Sequence, residues 1–235
     1  MVKKLIYFLL SGMLALPAAA QYDSNVEEDD GAPPKRGYRY NLTFDVAAPH
    51  IFFNPANARA FDGIALVNAN FNFKIVKGFS IGPYLRYVGF NVYNPTMGLS
   101  NPLSTTLSAG LNMSYVVPLG ERFAYIPSVN AGVGWIMYQN VNKPPKDVND
   151  SPRNTIYDWG VTVQQNNGFY YYVKRNQRIG IGLIVGLNYF SHEFNLRDTG
   201  LDKDEQLYTR SDKGPTIHFN FGLGFITNIS RIHGM

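Results

Sequence analysis

Cysteine is absent from the 235 residues, which excludes disulfide staples, thiolate metal sites and cysteine nucleophiles. Charged residues make up only 16% of the chain, and beyond the N-terminus no apolar run approaches the roughly 18 residues that a membrane-crossing helix needs. Any span of a bilayer must therefore be built from strands. Nor does the charge balance point to nucleic acid: Lys and Arg total 21 against 17 Asp and Glu, and loss of Lys3 and Lys4 with a leader would leave 19, a net of about +2. What the chain has in plenty is aromatic side chains, 16 Tyr and 16 Phe, which suit strands and membrane interfaces. The length leaves room for one all-β domain, or two small ones.

The first 20 residues read as a secretory signal: Lys3 and Lys4, an apolar core from Leu5 to Leu16, then Pro17 and the small-residue site Ala18-Ala19-Ala20 before Gln21. No cysteine follows to carry a lipid anchor. Residues 21–37 are acidic and then proline-rich (Glu27, Glu28, Asp29, Asp30, Pro33, Pro34), which predicts a disordered periplasmic lead-in. Residues 38–235 form the remaining domain.

That domain is written in a two-residue rhythm. Near its end, Ile217, Phe219, Phe221, Leu223, Phe225 and Ile229 alternate with His218, Asn220, Gly222, Gly224, Asn228 and Ser230, a strand with one oily face and one thin polar face. Similar alternation runs through Tyr40–Val46, Leu66–Ile75, Phe79–Tyr87, Leu107–Tyr115, Phe123–Trp135 and Ile179–Tyr189. A sixth strand is clear only at Phe169, Tyr171 and Val173, because Gln164 to Asn167 interrupt the apolar face, and a bulge or a short membrane portion is expected there. Pro83 and Pro127 each remove a ladder donor, so bulges or strand starts are expected near them too. The connections alternate long and short, the long ones around His50–Asp62, Asn94–Pro102, Asn140–Thr155 and Asn195–Gly214. This predicts an all-β fold, an eight-stranded antiparallel up-and-down transmembrane β-barrel with its oily face turned to lipid.

The leader ending Ala18-Ala19-Ala20, the eight alternating segments and the last strand with Gly222 and Phe225 resemble the small OmpA/OmpX-like outer-membrane β-barrel proteins of Bacteroidetes-type, Gram-negative bacteria. The resemblance covers Tyr38 to Ser230 and implies a porin-like architecture in the cell outer membrane. It also implies contact with outer-membrane lipid and lipopolysaccharide, insertion by the barrel-assembly machinery, and a monomer. Members commonly end on an aromatic residue, whereas this chain ends Arg231-Ile232-His233-Gly234-Met235; the assembly signal is then internal, around Phe225, or atypical.

Inward-facing polar residues Arg39, Asp45, Lys74, Arg86 and His218 are expected to form a structural ion network, its charges paired to offset desolvation, that plugs the lumen. Ser191-His192-Glu193 offers a nucleophile and a base, yet neighbours in a strand point to opposite faces. No catalytic residue, cofactor, metal site or nucleic-acid partner is therefore assigned, and the glycine pairs lack the G-x-G-x-x-G helix-opening pattern. They make space for Tyr84, Arg86 or Tyr172 instead. Aromatic girdles are expected at Tyr38, Tyr40, Phe79 and Phe123 on one rim and at Tyr93, Trp135, Tyr138, Trp159 and Tyr189 on the other. The chain thus reads as a non-enzymatic outer-membrane barrel with a structural or surface-interaction role. Two alternatives stand beside it: a soluble periplasmic lipocalin-like binding barrel, with the Phe/Leu face turned inward, and an outer-membrane lipid hydrolase using Ser191 or His192.

Overall fold

The computed structural model describes residues 39–53, 61–92, 103–143, 153–173, 178–192 and 214–229. The leader, the lead-in, the girdle positions Tyr38 and Tyr93, and residues 195–213 of the last long connection lie outside the described residues. The strands are β1 Tyr40–Phe53, β2 Phe61–Lys74, β3 Phe79–Val92, β4 Leu103–Tyr115, β5 Val117–Pro118, β6 Phe123–Lys143, β7 Arg153–Tyr172, β8 Ile179–Phe190 and β9 Thr216–Ile229. All pairings are antiparallel, in the order β4-β3-β2-β1-β9-β8-β7-β6-β5, and β4 also pairs β6, which closes the sheet. Because β5 continues β4 along the same partner, the barrel has eight strands.

The closed sheet is staggered, and the stagger can be read from the pairing. Stepping from Asp45 through Asn68, Arg86, Ser108 and Gly134 arrives at Gly160 on β7. Stepping the other way through Gly224 and Gly182 arrives at Tyr170, ten residues further along β7. A stagger of that size over eight strands tilts them by roughly 40° and gives a backbone radius of roughly 8 Å. Such a lumen takes side chains and little else.

Which face lines that lumen follows from burial. Leu42, Phe44, Phe71, Phe73, Leu85, Leu111, Phe221, Leu223 and Phe225 are exposed on the outer wall, whereas Asn68, Asn70, Asn72, Asn112, Asn130, Asn188 and Asn220 are buried inside. The lipocalin-like arrangement needs the reverse orientation and does not fit. Trp135 and Trp159 face each other across β6 and β7, both exposed near one rim, and Phe123 is exposed at the other. Tyr138, expected in the girdle, is buried. It sits at an even position of β6, in phase with the lumen-lining Gly134 and Ile136.

The two mid-strand prolines are accommodated without bulges. At Pro127 the β4–β6 ladder stops at Ser114/Ser128 and resumes in the same register as β5 at Val117/Tyr125. The missing N–H of proline thus falls in a gap that splits one strand into β4 and β5, while the β6–β7 ladder passes Pro127 unbroken. At Pro83 the β2–β3 ladder likewise skips from Asn70/Tyr84 to Phe73/Ile81 without a change of register. The expected bulge near Gln164 is also absent: β7 pairs continuously with β6 from Tyr171 to Thr155. Gln164 and Asn166 point into the lumen, while outward-facing Asn167 accepts a hydrogen bond from the Tyr125 hydroxyl at 2.6 Å.

The connection read as Asn140–Thr155 is shorter than expected, because β6 runs on to Lys143 and β7 begins at Arg153. Strands of 21 and 20 residues carry this hairpin well past the 12–14 residues of the other barrel strands. At the opposite end the β2–β3 and β5–β6 connections are tight. Gly78 has φ of 80°, a left-handed conformation that glycine adopts without steric cost.

Two strand backbones approach closely at Gly110 and Gly132, which pair directly across β4 and β6. A Cβ on Gly132 would run into the Ala109 carbonyl and lie 2.8 Å from the Gly110 Cα. Backbone atoms cannot swing aside as a side chain can. Gly132→Ala is therefore expected to lower stability by about 1–3 kcal/mol, read as the urea midpoint of the refolded barrel. Gly134→Ala meets only side chains of Thr162, Phe190 and Ser108 and should cost less; a reversed order contradicts the close approach.

Candidate functional site

The lumen is filled in three tiers. At the short-turn end Ala124, Ile126, Tyr170, Tyr172, Ile184 and Ile226 form an apolar plug, with Val116 packed against it. Room for the Tyr170 ring comes from glycines on three strands: an added Cβ at Gly168, Gly182 or Gly224 would lie 2.5–2.8 Å from its atoms. Gly180 does the same for Tyr172, 3.0 Å from the ring. The glycines thus cradle Tyr172, as the sequence suggested, and Tyr170 rather than Tyr84 or Arg86.

Above the plug lies a belt of amides. Asn70 donates to Thr43 at 2.7 Å, Asn72 to Asn41 at 3.0 Å, Asn130 to Gln164 at 2.9 Å and Gln164 to Asn166 at 2.8 Å. Two charged residues are held in this belt. Asp45 accepts from Asn68 at 3.0 Å and from the Tyr170 hydroxyl at 3.4 Å. Arg86, 2% exposed, donates from Nη1 to Gln164 at 3.0 Å and Asn188 at 2.6 Å and from Nη2 to Ser108 at 3.3 Å, with the Tyr84 ring 5.9 Å away. The two charges do not pair. Asn68 stands between them in the ladder, and the guanidinium reaches across the lumen to β7 and β8 instead.

Burying a guanidinium costs several kcal/mol, and a hydrogen bond to a charged group returns about 1.5–3 kcal/mol. Three neutral acceptors therefore roughly offset the burial of Arg86 without any carboxylate. At the long-connection end the third tier is a cavity. Ile51, Val88, Phe90, Ile136, Tyr138 and Phe190 form its apolar walls, and Arg86, Ser104, Thr106, Thr216 and His218 contribute its polar atoms. The Phe90 ring stands edge-on to His218 with centroids 5.6 Å apart.

Of the five residues assigned to a lumen network, the structure buries Asp45, Arg86 and His218 but leaves Arg39 and Lys74 exposed. Both have the inward phase of their strands, but they sit at the open short-turn end, beyond the last layer of lumen side chains. Depth, which alternation does not encode, excludes them. The network is also not one of ion pairs: the amides that carry it, above all Gln164 and Asn188, are what the sequence reading missed. Their signal was present, since asparagine is depleted in strands and yet recurs here at alternate positions of β2.

The Ser191-His192 pair lies at the rim. Ser191 Oγ accepts the Val161 N–H at 2.8 Å, and His192 Nδ1 lies 3.0 Å from Asp158 Oδ2. The serine oxygen is thus engaged with backbone, and the histidine is oriented by an aspartate that is itself half exposed. Glu193 lies outside the described residues.

No protein-family model and no curated protein sequence matches the chain. The fold does match solved structures. Neisserial surface protein A (NspA) aligns over 81% of this chain and 97% of its own, with a TM-score of 0.50 at 8% identity. The outer-membrane protein AlkL, solved in lipid bilayers, aligns over 90% of this chain and 99% of its own, with a TM-score of 0.44 at 10% identity. For Ail of Yersinia pestis the coverage is 80% and 98%, with a TM-score of 0.41 at 8% identity. At such identities the likeness to NspA speaks for the fold alone: a closed, eight-stranded antiparallel barrel.

Proposed function

We propose that the chain is a non-enzymatic barrel of a Gram-negative outer membrane, of the Bacteroidetes-type OmpA/OmpX-like group, with a structural or surface-interaction role. The observation that carries this reading is the orientation of the wall, with leucine and phenylalanine exposed around the outside and amides buried within. In water that exterior would be a very large apolar patch; in a bilayer it is the ordinary solvent-facing surface. Outer-membrane lipid and lipopolysaccharide are then its neighbours, the barrel-assembly machinery inserts it, and it works as a monomer. Surface contacts fall to the β6–β7 hairpin and to the connection between β8 and β9.

The absence of cysteine makes a labelling test clean. In intact cells a membrane-impermeant maleimide is expected to label Asp147→Cys, between β6 and β7, and to label Lys77→Cys in the β2–β3 turn only after the outer membrane is opened. Fractionation should recover the protein with outer-membrane lipid. Release as a soluble periplasmic protein without detergent sinks the membrane assignment, and equal labelling of both sites in intact cells sinks the orientation.

A further inference from the structure

Arg86 and His218 line the inner part of the cavity at the long-connection end, and both hold polar atoms that the barrel leaves unsatisfied. A guanidinium has five N–H donors. Arg86 uses Nη1 on Gln164 and Asn188 and one hydrogen of Nη2 on Ser108, while its Nε has no acceptor among the described residues. Nε and Nη2 share the edge of the fork that grips two carboxylate oxygens at once. Among the described residues neither ring nitrogen of His218, 5% exposed, has a partner, although the imidazole always offers at least one N–H. Buried donors left without acceptors are costly, and here two such groups meet one cavity.

The surroundings narrow the ligand. Asp45, the carboxylate nearest in the ladder, is engaged by Asn68 and Tyr170, and among the described residues Arg86 bonds to neutral acceptors alone. The cavity encloses room for roughly two water molecules, which is the scale of a carboxylate group. Above it the walls are apolar: Ile51, Val88, Phe90, Ile136 and Phe190. Counted to its open mouth, with open solvent included, the space is about 450 Å³, of which little is enclosed. An inorganic anion would satisfy the donors but leave the walls unused, and a neutral lipid tail would do the opposite.

We infer that this cavity binds an amphipathic monocarboxylate, with its two oxygens on the Arg86 fork and His218 and its apolar chain rising along Val88, Phe90 and Phe190 to the mouth. The head contributes a charge-assisted, two-point contact, and the tail contributes burial of about 25 cal/mol per Å² of apolar surface. Charge and tail are both required. The cavity lies on the long-connection side of the amide belt, so binding needs no conducting lumen.

The test is a titration of the full chain in lipid nanodiscs, following the ¹⁵N resonances of the Arg86 side chain and the His218 ring. Hexanoate is expected to shift both saturably, acetate to need at least tenfold higher concentration, and 1-hexanol to leave Arg86 Nε unmoved. No saturable shift with hexanoate, an equal response to acetate, or an equal response to hexanol overturns the proposal. Arg86→Gln should abolish the binding. Because that variant also disturbs the amide belt, Thr106→Glu provides a second arm. Thr106 lies diagonally opposite Arg86 across β3 and β4, near enough for a long side chain. Its carboxylate should occupy the fork in place of the ligand and weaken hexanoate at least tenfold; a folded Thr106→Glu barrel that binds hexanoate like the parent contradicts the site.

Discussion

Arginine in place of Leu223 is expected to lower the stability of the barrel by about 2–4 kcal/mol, the cost of a cation on the lipid face near the bilayer midplane. Leu223 lies halfway along β9, between Val46 of β1 and Leu183 of β8, and half of its surface is exposed. On a soluble protein, an exposed leucine exchanged for arginine changes stability by about half a kcal/mol or less. The size of the effect therefore distinguishes lipid from water outside this wall. Depth gives the internal control: Ile179 is equally exposed but opens β8 at the short-turn rim, where the same substitution should cost about 0–1 kcal/mol. Urea unfolding from phospholipid vesicles reads both. Equal losses at the two positions, or none at Leu223, rule out a membrane belt centred on β9.

A second large effect is expected inside. Gln164 accepts hydrogen bonds from Arg86 Nη1 and Asn130 Nδ2 through one oxygen and donates to Asn166. Gln164→Met keeps the length of the side chain and removes all three bonds. Arg86 would keep Asn188 and Ser108 as acceptors, so the loss should be about 3 kcal/mol, at the lower end of the range for uncovering a buried charge. The partner experiment carries the diagnosis. In the Arg86→Met, Gln164→Met double variant the charge is gone together with its acceptor, and removing both partners costs less than removing one. The losses of the two single variants should then exceed that of the double by at least 1 kcal/mol. Simple additivity would mean that Gln164 is not what holds the guanidinium.

The barrel was legible because alternation and turn length are local signals. Phe219, Phe221, Leu223 and Phe225 name one face of β9 without reference to any other strand, and the short turn at Val76–Gly78 fixes β2 against β3. The prolines were misjudged for a related reason. Sequence shows that Pro127 lacks a donor, but only the pairing shows that β4 has already stopped on that side. Arg39 and Lys74 were misplaced because alternation gives the side of the wall and not the height along it. The pairing of charges was least legible of all. Asp45 and Arg86 look complementary in a list of inward residues, yet the stagger sends the guanidinium to Gln164 and Asn188, 78 and 102 residues away in sequence. No periodicity reports a contact across a lumen.

The seam at which the sheet closes sets the order of events during biogenesis. Tyr40 pairs with Ile229, and the β1–β9 ladder runs the length of both strands. The first strand of the barrel thus waits for the last, and until then two open edges offer unpaired backbone groups to any neighbouring chain. Bringing such distant segments together carries a loop-closure penalty before the pairing returns anything, and folds dominated by non-local contacts assemble slowly. Partial barrels have no cylinder in which to stack the amide belt or seat Tyr170 among its glycines. Delivery of the complete chain in an unaggregated state is consequently a physical requirement of this architecture, imposed by where its two ends meet.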